Sequence, residues 1–376
     1  MRIAIDALGI TQPGGGRTAT LNILAALFKM DQENDYLLFV DEEEPALKAS
    51  NVRQRVVGVR GRFSARFWAQ LVLPVVLRRE KVVLVHYVKN LGAFFTPGKM
   101  VVTVYDLSVL VHPRIYPLSD RLYWRLIEPL TLRQADRIIA ISEDTAHDIV
   151  KFYGISWERI TVIYPGCSPH FRPLSAALVD KVRQKYHLPP TFILHVGSIS
   201  RKKNLLALVR AVAKLKQAEQ AIKLVLVGRI YGKAHDDELF RYFNERCIAN
   251  EVILLGAVPD QDLPAIYNCA AALAFPSLQE GFGLVPLEAM ACGLPVITSG
   301  AGAIREVVGE AALIISEPDN EMEWASAIEQ VLHDQSLSAR MRSLGLARAQ
   351  LFSNDESARR MLQVYREVTD EPAGSK

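Results

Sequence analysis

The segment from Phe275 to Ser299, FPSLQEGFGLVPLEAMACGLPVITS, leaves the backbone few paths. Ala271 to Phe275 is a short apolar run of strand type, and Pro276-Ser277 ends it because proline cannot continue a central ladder. Pro286 suits a first helical turn, Gly293 suits the left-handed position just past a last turn, and Pro295 blocks continuation. The spacing predicts a helix over Val285 to Cys292, followed by a second buried strand from Leu294 to Thr298. Two parallel strands joined by so short a helix leave a crevice at their carboxyl ends.

Two carboxylates stand in that crevice, Glu280 in the turn and Glu288 on the second helical turn. Gly281 and Gly283 permit close backbone approach, so the N–H groups of Gly281 to Val285 can face an anion at the positive end of the helix. Phosphate is the natural anion, and carboxylates beside it suit the hydroxyls of a sugar or ribose. An isolated pair of glutamates at this spacing would be a loop charge and a solvated helix residue. The surrounding glycines, prolines and strands favour the ligand reading.

The segment EGFGLVPLEAMACGLPVI resembles the E-x7-E signature of the retaining glycosyltransferases of family 4, which are built from two Rossmann-like domains in the arrangement called GT-B. The resemblance implies that Glu280 contacts the donor sugar and Glu288 the nucleotide ribose. It assigns the amides of Gly281, Phe282, Gly283, Leu284 and Val285 to the sugar and diphosphate. It extends over most of the chain, with this segment its most specific part.

At 376 residues, half of them apolar, the chain can build two cores. Forty-four basic side chains against 41 acidic ones are too evenly balanced for bulk nucleic-acid binding. Cys167, Cys247, Cys269 and Cys292 show no C-x-x-C spacing and fit a reduced compartment. No window reaches the roughly 18 uninterrupted apolar residues of a spanning helix, and MRIAIDALGI is too short for a signal peptide. The expectation is a soluble cytoplasmic chain, with adherence to the inner face of a membrane left open.

Arg2 to Leu8 reads as the first strand, and Pro13 to Gly16 as a loop leading into a helix over Thr18 to Met30. Gly14, Gly16 and Ala19, with Asp41 ending the next strand, formally satisfy a dinucleotide fingerprint. That fingerprint needs its first glycine directly after the strand, yet Gly9 to Pro13 intervene, so it is rejected. The resemblance instead implies that this loop reaches the donor diphosphate, with Gly15 and Gly16 the candidates. Asp41 to Glu44 reads as a solvated strand end in preference to a metal site.

From Val52 to Lys81 eight arginines or lysines face one acid, Glu80, interleaved with Phe63, Phe67, Trp68 and Leu71. Contact with anionic lipid is one reading. The preferred one is a packed helix, because Phe67, Leu71 and Leu77 fall at helical spacing and such stripes are usually core. VVTVYDLSVLVHP resembles the family's V-T-x-H-D-L stretch, with Tyr105 in place of a histidine that lies near the reacting sugar and Asp106 beside it. His86 and His112 are the nearby imidazoles, and a lone histidine of this kind is more often structural. Tyr116 to Gln134 reads as a helix, and Ser142 as the cap of a helix running to Phe152.

Ile160 to Pro173, rich in proline, reads as the connection between domains 1–168 and 169–352, with 353–376 a helix returning to the first domain and then a tail. After a strand at Phe192 to Val196 comes Gly197-Ser198, then Arg201, Lys202 and Lys203 before a helix from Leu205. Successive cations at a helix N-terminus oppose the helix dipole, a conflict that a bound polyanion would resolve. The family's basic pair, which grips the donor diphosphate, matches Lys202 and Lys203; Ser198 stands where relatives carry arginine or threonine. Strands at Leu224 to Gly228 and Val252 to Gly256 follow, and the resemblance places Val258 beside the nucleobase.

These readings converge on an α/β chain of GT-B type, two Rossmann-like doubly wound domains facing a central cleft. The implied activity is transfer of a hexose from a nucleotide-diphospho-sugar to a glycan or lipid-linked hydroxyl, with Glu280, Lys203, Tyr105 and Asp106 as the candidate catalytic set. GDP-mannose is the first expectation for the donor and UDP-glucose the second, by likeness to mannosyltransferases of bacterial surface polysaccharide assembly. No cofactor is expected. No D-x-D stands at a strand end, so protein cations, not a metal, are expected to hold the phosphates. A sugar-nucleotide epimerase or phosphorylase of the same architecture, or an inactive binding subunit, are the alternatives.

Overall fold

The structure, a computed structural model, describes residues 1–9, 14–58, 62–220, 222–229, 239, 241–242 and 248–370, with the backbone alone for 62–66. Pro13, the Phe63 side chain, Cys247 and the tail beyond Asp370 lie outside the described residues. The chain divides into two compact units, Met1–Gly166 with Phe352–Lys376, and Cys167–Leu351.

The first unit is built on a seven-stranded sheet, in which β1 (Arg2–Asp6), β2 (Asp35–Val40), β3 (Val52–Val56), β4 (Leu84–Tyr87), β5 (Lys99–Val104), β6 (Arg137–Ala140) and β7 (Ile160–Val162) run in the order β3-β2-β1-β4-β5-β6-β7. All its pairings are parallel. Parallel sheets need both faces covered, and runs such as Met100 to Val104, buried throughout, carry the apolar content this demands. One face packs against α1 (Gly15–Met30) and the C-terminal helix Asn354–Asp370, with Phe28, Leu24 and Tyr365 in a shared core. The other carries α2 (Arg62–Leu71), α3 (Leu73–Arg79), the short α4 (Ser108–Val111), α5 (Leu118–Leu132) and α6 (Glu143–Tyr153), with Leu77, Leu132 and Ile149 in a second core. Ser142 caps α6 as its position predicts, its hydroxyl accepting from Thr145 N at 3.1 Å.

Three expectations are corrected here. Helix α1 begins at Gly15, not Thr18, so Gly15 and Gly16 stand in its first turn instead of in a loop. The stripe Phe67, Leu71, Leu77 is not one core face: Leu77 is fully buried, but Phe67 and Leu71 are exposed. The reason is the spacing itself: the six residues from Leu71 to Leu77 turn about 240° around a helix, and Val72 keeps helical dihedrals where α2 meets α3. Asp41 is not merely solvated, because its carboxylate accepts from Gly9 N across the β1 and β2 ends.

The second unit holds a six-stranded parallel sheet, β10-β9-β8-β11-β12-β13, from β8 (Phe192–Val196), β9 (Lys223–Val227), β10 (Val252–Gly256), β11 (Ala272–Phe275), β12 (Val296–Thr298) and β13 (Ala312–Ile314). Its described helices are α7 (Ala176–Lys185), α8 (Leu205–Gln217), α9 (Leu263–Cys269), α10 (Leu284–Ala291), and then Ile304–Val308, Glu321–His333 and Gln335–Ala349. Helix α10 closes as the sequence predicts: Gly293 has φ 71°, and Leu294 N reaches back to Ala289 O at 2.9 Å. No described helix is long and apolar enough to cross a membrane.

Candidate active site

In the second unit β8 has β9 on one side and β11 on the other, so connections leave β8 in opposite directions. In such sheets the crevice outside the strand carboxyl ends at this switch is where ligands bind. The loop after β8 brings Ser198, Lys202 and Lys203 there, and the loop after β11 brings Ser277 and Glu280. The two loops are stitched together by Leu278 N donating to Lys202 O at 2.9 Å.

Lys203 and Ser277 both donate to Glu280 Oε1, and Lys203 Nζ lies 4.7 Å from the centre of the Phe275 ring. Burial alone would push the Glu280 carboxyl up, but Lys203, Lys202 and these hydrogen bonds hold it below the ordinary carboxylate range. The expected conflict between cations and helix dipole is therefore eased without a ligand. Arg201–Lys203 form their own turn, Asn204 at φ 49° separates it from α8, and Glu280 compensates Lys203. Gly302 makes room for this arrangement: a Cβ there would stand 2.4 Å from Glu280 O.

Glu288 faces elsewhere. It lies buried on α10, and its Oε2 accepts from the Tyr267 hydroxyl of α9 at 2.8 Å. Burial pushes its carboxyl up to about 8, and Asp260 adds to the rise. Asp260 shares the loop after β10 with Val258, so that loop and Glu288 belong to one neighbourhood. Of the residues assigned to diphosphate and sugar, Lys202, Lys203 and Glu280 thus meet at the β8–β11 switch, while Glu288, assigned to the ribose, lies against α9; Gly15 and Gly16 belong to the first unit. Gly281, Phe282 and Gly283 are buried, and Leu284 and Val285 half-buried, in the backbone between.

Sequence reasoning gives no signal for three neighbours. Tyr267 and Ser277 are a helix tyrosine and a turn serine until the fold apposes them to the glutamates. His195 on β8 is fully buried, with Nδ1 3.1 Å from Ala274 O. A carbonyl can only accept, so Nδ1 carries the proton. Nε2 has no partner among the described residues, and burial pushes the imidazole down to about 3.

The first unit has its own switch, between β1 and β4, and Tyr105-Asp106 follow β5 at the same edge. The side-chain amide of Asn90 clamps them: Oδ1 accepts from Tyr105 N at 2.9 Å and Nδ2 donates to Asp106 O at 2.8 Å. Thr20 Oγ1 donates to Gly16 O at 2.8 Å, which commits its only proton, so the Tyr105 phenol is the donor in the Tyr105–Thr20 contact. Tyr105, Thr20 and Gly16 form one chain at the start of α1, and burial pushes the phenol up to about 12. Asp106 Oδ1 accepts from Ser108 N at 3.0 Å. His86 is structural: fully buried, it lies 2.6 Å from the Tyr365 hydroxyl and 2.7 Å from Thr103 Oγ1.

Comparison with known proteins adds the following. Residues 13–171 match the family described as Glycosyltransferase Family 4, and residues 179–346 match Glycosyl transferases group 1. The chain is 30% identical to O-antigen chain mannosyltransferase B of Escherichia coli over 284 residues, 74% of each chain. It is 29% identical to the serotype-specific mannosyltransferase WbdA of Escherichia coli over 71% of its own length, but spans only 33% of that longer protein. Among solved structures, Anabaena HepE in complex with UDP and glucose superposes with a TM-score of 0.78 at 21% identity, covering 97% of this chain and 99% of that one. Sucrose-phosphate synthase from Thermosynechococcus elongatus gives 0.80 at 21% identity, covering 98% of each. Both likenesses fit the two doubly wound sheets described above, and with the family matches along both units they make the protein a member of the family 4 glycosyltransferases, enzymes of the GT-B fold.

Proposed function

We propose that the protein is a retaining hexosyltransferase that moves mannose from GDP-mannose to a hydroxyl of a glycan or lipid-linked acceptor at the cytoplasmic side of a membrane. The observation that carries the donor sugar is the similarity to O-antigen chain mannosyltransferase B along 74% of both chains. Transfer of glucose from UDP-glucose is the second reading, favoured by the likeness to HepE in complex with UDP-glucose, a TM-score of 0.78.

The second unit holds the donor in this reading. Lys203 and Lys202 take the diphosphate, Glu280 accepts from sugar hydroxyls, and Glu288 from the ribose, with Val258 against the base. Gly15 and Gly16 at the start of α1 supply further amides to the diphosphate, and Tyr105 and Asp106 line the acceptor side. As the bond from the anomeric carbon to the diphosphate oxygen breaks, the acceptor oxygen bonds that carbon, and the acceptor proton passes to the departing phosphate. Charge grows on the leaving diphosphate, so cations aimed at it stabilise the transition state more than the ground state. No side chain is required as a nucleophile, and positioning supplies the rest.

The test is to offer GDP-mannose and UDP-glucose with polyprenyl-linked and free oligosaccharide acceptors, follow nucleotide release, and read the anomeric configuration of the product by NMR. An α-mannoside is expected. A β-linkage would remove the retaining assignment, and epimerised or phosphorolysed donor would favour the other activities of this architecture. Donor binding without turnover on any acceptor would favour an inactive subunit.

A further inference from the structure

Helix α5 packs one face on the sheet of the first unit and leaves an apolar stripe on the other. Leu118, Leu122, Leu126 and Leu130 recur every fourth residue and are 66%, 51%, 59% and 47% exposed. A four-residue step advances about 40° around a helix, so the four span one broad stripe along its length. An amphipathic surface helix turns such a stripe inward; this one turns it out. The charged side chains exposed beside it, Arg125 and Arg133, are both cations. Of the two acids in the helix, Glu128 is buried under Tyr153 and Asp120 is half-buried.

The same sheet face carries further exposed apolar side chains. Helices α2, α3 and α5 cover the same sheet face, and α2 and α3 expose Phe67, Leu71 and Val75. Gln70 pins the segment after β4 against α2, donating to Gly92 O at 3.1 Å and accepting from Phe94 N at 2.8 Å. That segment holds Phe95 out with 81% of its surface exposed. A depression of about 250 Å³, lined by Pro74 and Arg78 of α3, by Phe94 and Phe95, and by Gln134, lies between α3 and the residues just past α5.

We propose that this surface of the first unit, with the α5 leucine stripe at its centre, seats on a bilayer containing anionic lipid, the leucines and Phe95 entering the acyl boundary and the arginines meeting the headgroups. Exposed apolar side chains gathered along a helix and on one sheet face in this way mark an interaction site. Its occupant follows from charge. A second copy of the chain, related by a twofold axis, would press Arg125 and Arg133 against their like. An anionic lipid surface complements them and accepts an apolar stripe at the same depth. The basic strand β3 is not the main contact, because Arg53 and Arg55 already lie within 4.0 Å and 3.8 Å of Glu80. The inference deepens the lipid-linked acceptor reading, and it is tested without nucleotide sugar, so its failure leaves glycosyl transfer untouched.

The experiment is co-sedimentation of the full chain with vesicles of phosphatidylcholine alone or with phosphatidylglycerol. The wild type should prefer the anionic vesicles, and Leu122→Gln/Leu126→Gln should weaken partition at least about tenfold. Phe95→Ser should act in the same direction, while the thermal midpoints stay put because these side chains are exposed. Arg53→Gln/Arg55→Gln should leave most binding intact. Absence of wild-type binding, unchanged partition of the leucine variant, or loss confined to the β3 variant would each overturn the proposal. So would sedimentation equilibrium showing a dimer that the leucine variant dissociates, which would make a second copy the occupant.

Discussion

Lys203 closes on Glu280 across 77 residues of sequence, tying the loop after β8 to the loop after β11. Both side chains are mostly buried, at 14% and 15% exposure, so this pair is not a surface contact of marginal worth. Removing only the lysine strands a buried carboxylate. We expect Lys203→Ala to destabilise the protein by about 3 kcal/mol, and Lys203→Met/Glu280→Gln to recover part of that loss. Urea denaturation of the three proteins checks it, and equal losses in the single and double variants would show that the pair is not coupled. Both variants should lose donor affinity in calorimetry.

Glu288 predicts a pH dependence. Its carboxyl rises from an ordinary 4.5 to about 8 on folding, so the folded state holds a proton that the unfolded chain releases. Its contribution to stability is fully present below 4.5 and is lost as pH climbs through 8. Wild-type thermal midpoints should therefore fall between pH 5 and 9 more steeply than those of Glu288→Gln, which cannot ionise. Parallel curves would mean that the carboxyl is not held protonated. Glu288→Ala should weaken donor binding by roughly 1.5–3 kcal/mol if the side chain meets the ribose.

Tyr105 gives a graded expectation. Its phenol is spent on Thr20, and Thr20 keeps its bond to Gly16 O when the phenol is removed. Tyr105→Phe should then cost about 0.5–1.5 kcal/mol of transition-state stabilisation, roughly tenfold at most in kcat/KM. A loss of several thousandfold would make the hydroxyl a participant in the chemistry. Gain of activity in Tyr105→His over an inactive wild type would mark a disabled site.

The phosphate clamp is the subject of a fourth expectation. With Lys202 and Lys203 at the β8–β11 switch, turnover should survive EDTA unchanged. Abolition by EDTA and rescue by magnesium or manganese would show that a metal shares the diphosphate.

Much of this protein is legible in its sequence because the informative signals are local. Gly293 and Pro286 bound α10 through backbone conformations set by the residues themselves, and Ser142 caps α6 through a hydroxyl three residues from its partner. The alternation of apolar runs with amphipathic segments declares parallel sheets, since strands buried on both faces must be apolar throughout. Tertiary structure alone decided which side chains meet. Tyr267 reaches Glu288 across 21 residues, and Lys203 finds Glu280 only because β8 and β11, far apart in the chain, are neighbours in the sheet. The same holds for the surface. The spacing of Phe67, Leu71 and Leu77 suggested one buried face, but Leu77 stands about 240° around the helix from Leu71, and it alone turns to the sheet while the other two meet solvent. Periodicity reports that a helix has an apolar face; only packing against the sheet determines which way that face turns.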